Sequence, residues 1–201
     1  QGTNSGDRIF ILLEHSVALY TTFIGAMLGG FIPSFINYPS KKIANSDYAK
    51  MLDGLIASVK PRLIITNNKF KNYIKENSQY YESVSILSID DNNSSKKEIK
   101  NILEPNKDDI AFLQFSSGTT GMKKGVAITH CALLKQIEEY SNSIDIISND
   151  KIFSWLPLYH DMGLIACFFI PIIMRIPVFT MSPFEWVSNP ISMFEIIKRN
   201  G

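Results

Sequence analysis

Cysteine is scarce in this chain. Only Cys131 and Cys167 occur among 201 residues, far apart and in unlike surroundings. That excludes a disulfide framework, and no CxxC or Cys/His cluster is there to hold a structural metal. Two free thiols in a reducing cytoplasm is the reading that results. Net charge is scarce too: 20 Lys and Arg stand against 19 Asp and Glu. Such a balance gives no basic field to draw in nucleic acid. The common glycine signatures of nucleotide folds are also missing. No GxGxxG occurs, and the P-loop spacing fails, because Lys123 stands five residues after Gly118 and Val126 five after Gly121. The start does not read as a signal peptide, since Asp7 and Arg8 interrupt it.

One stretch lacks charge altogether. From His15 to Ser40 there is no Lys, Arg, Asp or Glu. Its length meets the criterion of about 20 residues for a membrane span. Gly29, Gly30 and Pro33 divide it, however, and each half fits a buried element, a helix followed by a strand. The apolar run 163–174 is too short to span and carries Pro171. The expectation is therefore no integral membrane span.

What is present is a core-forming composition, 45% hydrophobic and 11% aromatic, which argues against disorder. Short apolar runs at 8–13, 31–37, 62–66, 84–89, 110–115, 151–156 and 177–180 read as strands. Pro33 places the second of them at an edge or irregular position. Helices fit between: 17–29 capped by Ser16 and closed by Gly29-Gly30, a second from Ser46 or Asp47 to about Val59, one from Thr129 to about Ile144, one ending near Met174, and 191–198 after Pro190. Residues 67–77 read as a short polar helix or loop. The polar run 90–109 reads as a solvated surface with one exposed helix. The alternation predicts an α/β fold with a largely parallel sheet flanked by helices. In such sheets ligands bind beyond the carboxyl ends of strands.

Two loops follow strands in this scheme. Residues 116–125 read SSGTTGMKKG, with Ser116, Ser117, Thr119 and Thr120 as hydroxyl donors. Gly118, Gly121 and Gly125 permit a close backbone approach. Successive amides form an anion-binding nest, and Lys123 and Lys124 add charge. Together these suit a polyphosphate. On composition alone a flexible polar connection fits equally well. The expectation is that the loop joins two strands at the sheet's carboxyl edge. The second loop, PLYHDMGL at 157–164, carries His160 and Asp161.

The order Ser-Ser-Gly-Thr-Thr-Gly-x-x-Lys-Gly resembles the phosphate-binding signature of the adenylate-forming (AMP-binding) superfamily. Its usual proline before the lysine is replaced here by Lys123. Trp-Leu-Pro-Leu-Tyr-His-Asp-Met-Gly-Leu at 155–164 resembles the fatty acyl-AMP ligase and acyl-CoA synthetase branch, as do MSPFEW at 181–186 and the block 6–37. The resemblance implies one incomplete large N-terminal AMP-binding domain over 1–201, with the small C-terminal domain absent. It implies ATP-dependent activation of a fatty acid to an acyl adenylate, with release of pyrophosphate. ATP and Mg²⁺ are the implied cofactors. Coenzyme A or an acyl carrier protein is the implied acceptor.

The same resemblance assigns roles. Thr119, Thr120, Gly121 and Lys124 hold the ATP β- and γ-phosphates, with Ser116, Ser117, Gly118 and Gly125 shaping the loop. His160 lies near the acyl carboxylate and the α-phosphate, and with Lys124 is the catalytic candidate. A satisfied structural histidine is the alternative for His160. Asp161, as the next residue, is expected to point away from it and to fix the loop or cap a helix. His15, His130, Trp155 and Met162 are read as structural. The family's adenine, ribose and C-terminal lysine motifs do not occur in these 201 residues, so no adenylation is expected of them alone. Two other functions stay open at this point: a non-catalytic phosphate- or nucleotide-binding module, and a membrane-associated structural protein.

Overall fold

A computed structural model describes residues 4–39, 44–91, 104–116 and 124–200. The chain divides into two units, 1–130 and 131–201.

In the first unit β1 (Arg8–Leu12), β2 (Ile32–Phe35), β3 (Leu63–Thr66) and β4 (Ser85–Ser88) form a parallel sheet in the order β2-β1-β3-β4. The central strand reads as an unbroken apolar run because both its faces are covered: Ile9, Phe10, Ile11 and Leu12 are all buried. Helix α1 (Val17–Leu28) links β1 to β2, and α2 (Asn45–Val59) links β2 to β3. The strand order reverses between these two connections. Right-handed crossovers running in opposite directions place α1 and α2 on opposite faces. On one face, Phe10, Leu12 and Ile64 pack with Tyr48, Leu52, Leu55 and Ile56 of α2 and with Phe70 and Ile74 of α3 (Asn68–Asn77). Each such side chain, fully buried, contributes about 1.5–3 kcal/mol. In the same unit Phe23 of α1 stacks on Phe35 of β2 at 4.2 Å.

The local signals behave as their chemistry requires. The Ser16 hydroxyl accepts from the Leu19 amide, and α1 ends at Gly29 with Gly30 at φ 75°. Pro33 sits in β2, the edge of the parallel sheet, where a missing N–H costs no ladder bond. Residues 68–77 are helical, not a loop, because the Asn67 side chain caps them by accepting from the Phe70 amide. Two expectations fail. Helix α2 begins one residue before Ser46, after Ala44, which makes no side-chain cap bond. It ends at Lys60 in the left-handed region, since the residue before Pro61 is barred from continuing a helix. Helix α1 is only half covered: Leu19, Phe23 and Ala26 are buried while Val17 is 79% exposed. Among the described residues no helix is long and apolar enough to cross a membrane.

Tyr48 gives the first unit a pH signature. Its hydroxyl is buried and donates to the Asn37 carbonyl at 2.7 Å. Burial first, and the neighbouring Tyr73 second, push the phenol well above its ordinary value. The unfolded chain releases that proton near pH 10 and the folded chain does not. This contribution to stability is complete below about pH 10 and is lost as pH rises above it. Denaturation midpoints should fall above pH 10 less steeply in Tyr48→Phe than in the wild type. Equal slopes would show that the phenol ionises freely within the fold.

Strands β5 (Ile110–Ser116) and β6 (Lys124–Thr129) pair antiparallel as a separate ladder. As expected, the segment that begins at Ser116 joins one strand to another, and residues 117–123 between them lie outside the described residues. Residues 92–103, most of the polar run that was expected to hold an exposed helix, lie outside the described residues.

The second unit contains α4 (His130–Ser143), β7 (Ile152–Ser154), α5 (Asp161–Leu164), a π-helical turn (Ile165–Phe169), α6 (Ile170–Met174), β8 (Val178–Thr180), α7 (Pro183–Ser188) and α8 (Ile191–Asn200). Strands β7 and β8 pair in parallel. The π turn stands directly before Pro171, whose ring lacks an N–H and crowds the carbonyl four residues back in an α-helix. There the Ile170 amide bonds five residues back, to Ile165. Helix α7 was not foreseen. It is held by a reciprocal capping box, Ser182 hydroxyl to Glu185 amide and Glu185 carboxylate to Ser182 amide.

Candidate functional site

The hairpin builds the first candidate element. In β5 Ala111 and Phe112 are buried, which anchors the strand. The antiparallel register sets Ser116 opposite Lys124 and Phe115 opposite Gly125. Ser116 and Lys124, the residues that flank 117–123, are thereby cross-strand partners. Lys124, expected in the loop, is the first residue of β6 and is exposed. Ser117, Gly118, Thr119, Thr120 and Gly121 lie outside the described residues.

Gly125 has a different job from the one its motif position suggests. Its φ is not positive. A Cβ there would come within 3.1 Å of the Phe115 ring. Phe115 in turn meets Phe10 edge-on, with centroids 5.9 Å apart. The missing side chain of Gly125 therefore makes room for an aromatic that ties the hairpin to the sheet core.

The second element follows β7. Its last residue, Ser154, accepts from the Leu156 amide at 3.1 Å, which turns the chain. Leu158 is buried and anchors the loop. The His160 amide donates to the Pro157 carbonyl at 3.1 Å, and the Leu164 amide donates to the His160 carbonyl at 2.9 Å. His160 is thus the extended cap residue of α5, pinned on both sides. Gly163 passes so close to Pro157 that any Cβ would overlap its carbonyl oxygen. The motif glycine is what allows this turn to close. Nothing but its place in the sequence motif could have marked it beforehand.

Asp161 does not point away from His160. Its Oδ1 lies 2.6 Å from His160 Nδ1 and also accepts from the Met162 amide at 2.7 Å. Adjacent residues can meet here because His160 is extended while Asp161 begins the helix, so the two side chains converge at the bend. Both stay open to solvent, with side chains 64% and 75% exposed. Met162 is 55% exposed and is not a core residue. Trp155 stacks on Trp186, with centroids 4.0 Å apart and planes 9° from parallel, which fixes the strand β7 exit to α7. Burial pushes the Tyr159 phenol up. It also pushes the Cys167 thiol up, only partly offset by a hydrogen bond with Ser154, which disfavours the thiolate. Among the described residues no group of three metal-ligating side chains occurs.

Ser116, Lys124 and Gly125 belong to the first unit, and His160 and Asp161 to the second. His15 meets Tyr20 edge-on at 5.7 Å. The His130 amide donates to the Asp109 carbonyl, closing the hairpin's far end.

The sequence profile of the AMP-binding enzymes matches residues 1–201. A long-chain-fatty-acid–AMP ligase of Mycolicibacterium smegmatis is 28% identical over 196 residues, 94% of this chain and 30% of that protein. A medium-chain-fatty-acid–[acyl-carrier-protein] ligase of Teredinibacter turnerae is 35% identical over 103 residues, 50% of this chain and 16% of that protein. The crystal structure of the fatty acyl-adenylate ligase from Legionella pneumophila in complex with acyl adenylate and pyrophosphate superposes with a TM-score of 0.83. It is 28% identical and covers 98% of this chain and 34% of that one. The chain thus spans about a third, or less, of the length of each of these relatives.

Proposed function

The chain belongs to the AMP-binding enzyme family, and from that premise we propose that it forms part of a ligase that activates a fatty-acid carboxylate with ATP. A carboxylate oxygen attacks the α-phosphorus. The bond from that phosphorus to the bridging oxygen of the β-phosphate breaks, and pyrophosphate leaves with the electron pair. The product is an acyl adenylate. Such a reaction needs alignment and charge neutralisation more than covalent help from the protein.

In this reading the loop 116–125 cradles the β- and γ-phosphates. Ser116, Ser117, Thr119 and Thr120 supply donors, Gly118 and Gly121 supply close approach, and Lys124 supplies charge. His160 contacts the acyl carboxylate and the α-phosphate. The observation that supports the reading is the hairpin, whose register pairs Ser116 with Lys124, the residues that flank 117–123. Mg²⁺ ordinarily accompanies the nucleotide's phosphates. The described residues offer it no cluster of three side-chain ligands. The acyl group then passes to a thiol acceptor, coenzyme A or a carrier protein. The similarity to a protein named as an acyl-carrier-protein ligase supports the latter. We place the full protein in the cytoplasm, in keeping with two free cysteines.

The test is ATP–pyrophosphate exchange by a polypeptide that carries this chain at the length of its relatives, over a panel of carboxylic acids. Medium- and long-chain fatty acids are expected to support exchange best. A preference for an amino acid or a small aromatic acid would overturn the substrate class.

A further inference from the structure

We infer that Asp161 is a positioning residue that sets which edge of the His160 ring faces the substrate, an inference that rests on the reading of His160 as a substrate contact. Backbone contacts fix where that ring stands, and one side-chain contact engages the ring itself. Its backbone is held at both ends, by the Pro157 carbonyl and the Leu164 amide. Gly163 keeps the turn closed against Pro157. The carboxylate of Asp161 then engages Nδ1 at 2.6 Å. That carboxylate is itself anchored, since the same Oδ1 accepts from the Met162 amide at the start of α5.

The chemical consequence concerns the two ring nitrogens. Which one carries the proton is set by the bond the other makes. An anionic carboxylate only accepts, so Nδ1 must donate to it. Nε2 is left as the edge available to a ligand, and the side chain's 64% exposure leaves it reachable. When the ring takes up a second proton, that proton is at Nε2 and is presented to an anionic oxygen. The ring's added charge then lies between two anions, Asp161 and the ligand. Without Asp161 the imidazole can rotate and expose either edge.

An exposed pair of this kind adds little to fold stability. Asp161 therefore matters through orientation, and the two contributions can be measured apart. The first experiment is nitrogen NMR of the His160 ring in this chain, with and without Asp161→Ala. The wild type should show the neutral ring protonated at Nδ1, and the variant should shift toward the Nε2–H form. The second is pyrophosphate exchange in the relative-length polypeptide. Asp161→Ala should lower kcat about tenfold through misorientation, with KM for ATP and the melting temperature essentially unchanged. His160→Ala should lower exchange at least as far.

An unchanged tautomer in Asp161→Ala overturns the inference. So does an unchanged kcat in Asp161→Ala alongside a large loss in His160→Ala. If His160→Ala itself leaves exchange intact, the site reading fails, while the NMR result still decides whether Asp161 orients the ring. A lowered melting temperature with an unmoved tautomer would show a purely structural role and would also overturn it.

Discussion

Gly163→Ala is expected to destabilise the protein by about 2–3 kcal/mol, despite sitting in a helix where alanine is ordinarily preferred. Two effects compete. Alanine gains roughly 1 kcal/mol of helix propensity over glycine. Against that, the new Cβ would overlap the Pro157 carbonyl oxygen, a backbone atom that cannot rotate away. Forcing atoms into a filled site costs about 1–3 kcal/mol and sometimes more. Here the turn itself must open, so the upper end applies. A built-in control exists: Gly54 lies inside α2 with nothing within 4 Å of an added Cβ. Gly54→Ala should therefore stabilise by about 0.5–1 kcal/mol. Denaturant melts of both variants check the pair. A Gly163→Ala protein as stable as Gly54→Ala would mean that the turn at His160 is not tightly closed. The same substitution moves the His160 backbone. In the relative-length polypeptide it should lower pyrophosphate exchange by about a hundredfold, the scale of a 1 Å misplacement.

Lys124→Ala should reduce pyrophosphate exchange about tenfold or more, on the scale of removing one positioned charge from a developing anion. The fold should hardly respond, because Lys124 is exposed at the first position of β6. Lys124→Arg should recover part of the loss by restoring charge, though the guanidinium fork differs from an ammonium in reach and geometry. Exchange that is unchanged in Lys124→Ala would remove this lysine from the site and shift the phosphate contacts to Lys123 and the backbone. Unchanged melting temperatures across these variants would show that lost exchange is not lost folding.

Much of the architecture was legible because its causes are local. Ser16 and Gly29-Gly30 bracket α1 through hydrogen bonds that lie within a few residues of each other. Pro33 marks an edge strand because it has no amide to give. The run Ile9–Leu12 reads as a strand because it is short and unbrokenly apolar, and the sheet order then places it centrally with both faces covered. The motif residues themselves, Ser116 and Lys124 in one loop and His160 in the other, could be selected from their order alone.

Other features depend on what a residue meets across the fold, and no window of sequence contains that. The antiparallel pairing of β5 with β6, which sets Ser116 opposite Lys124, rests on bonds between two strands. Gly125 reads as a ligand-facing glycine until Phe115 is seen lying over it. Asp161 reads as pointing away from its neighbour until the bend between an extended residue and a helix start brings the two side chains together. Sequence by itself determined the α/β alternation, the family and the candidate residues, since backbone preference, capping and motif order are written in near neighbours. Tertiary structure alone decided which glycines make room for backbone or ring and which nitrogen of His160 is held, since those outcomes follow from steric contact and hydrogen-bond direction in space.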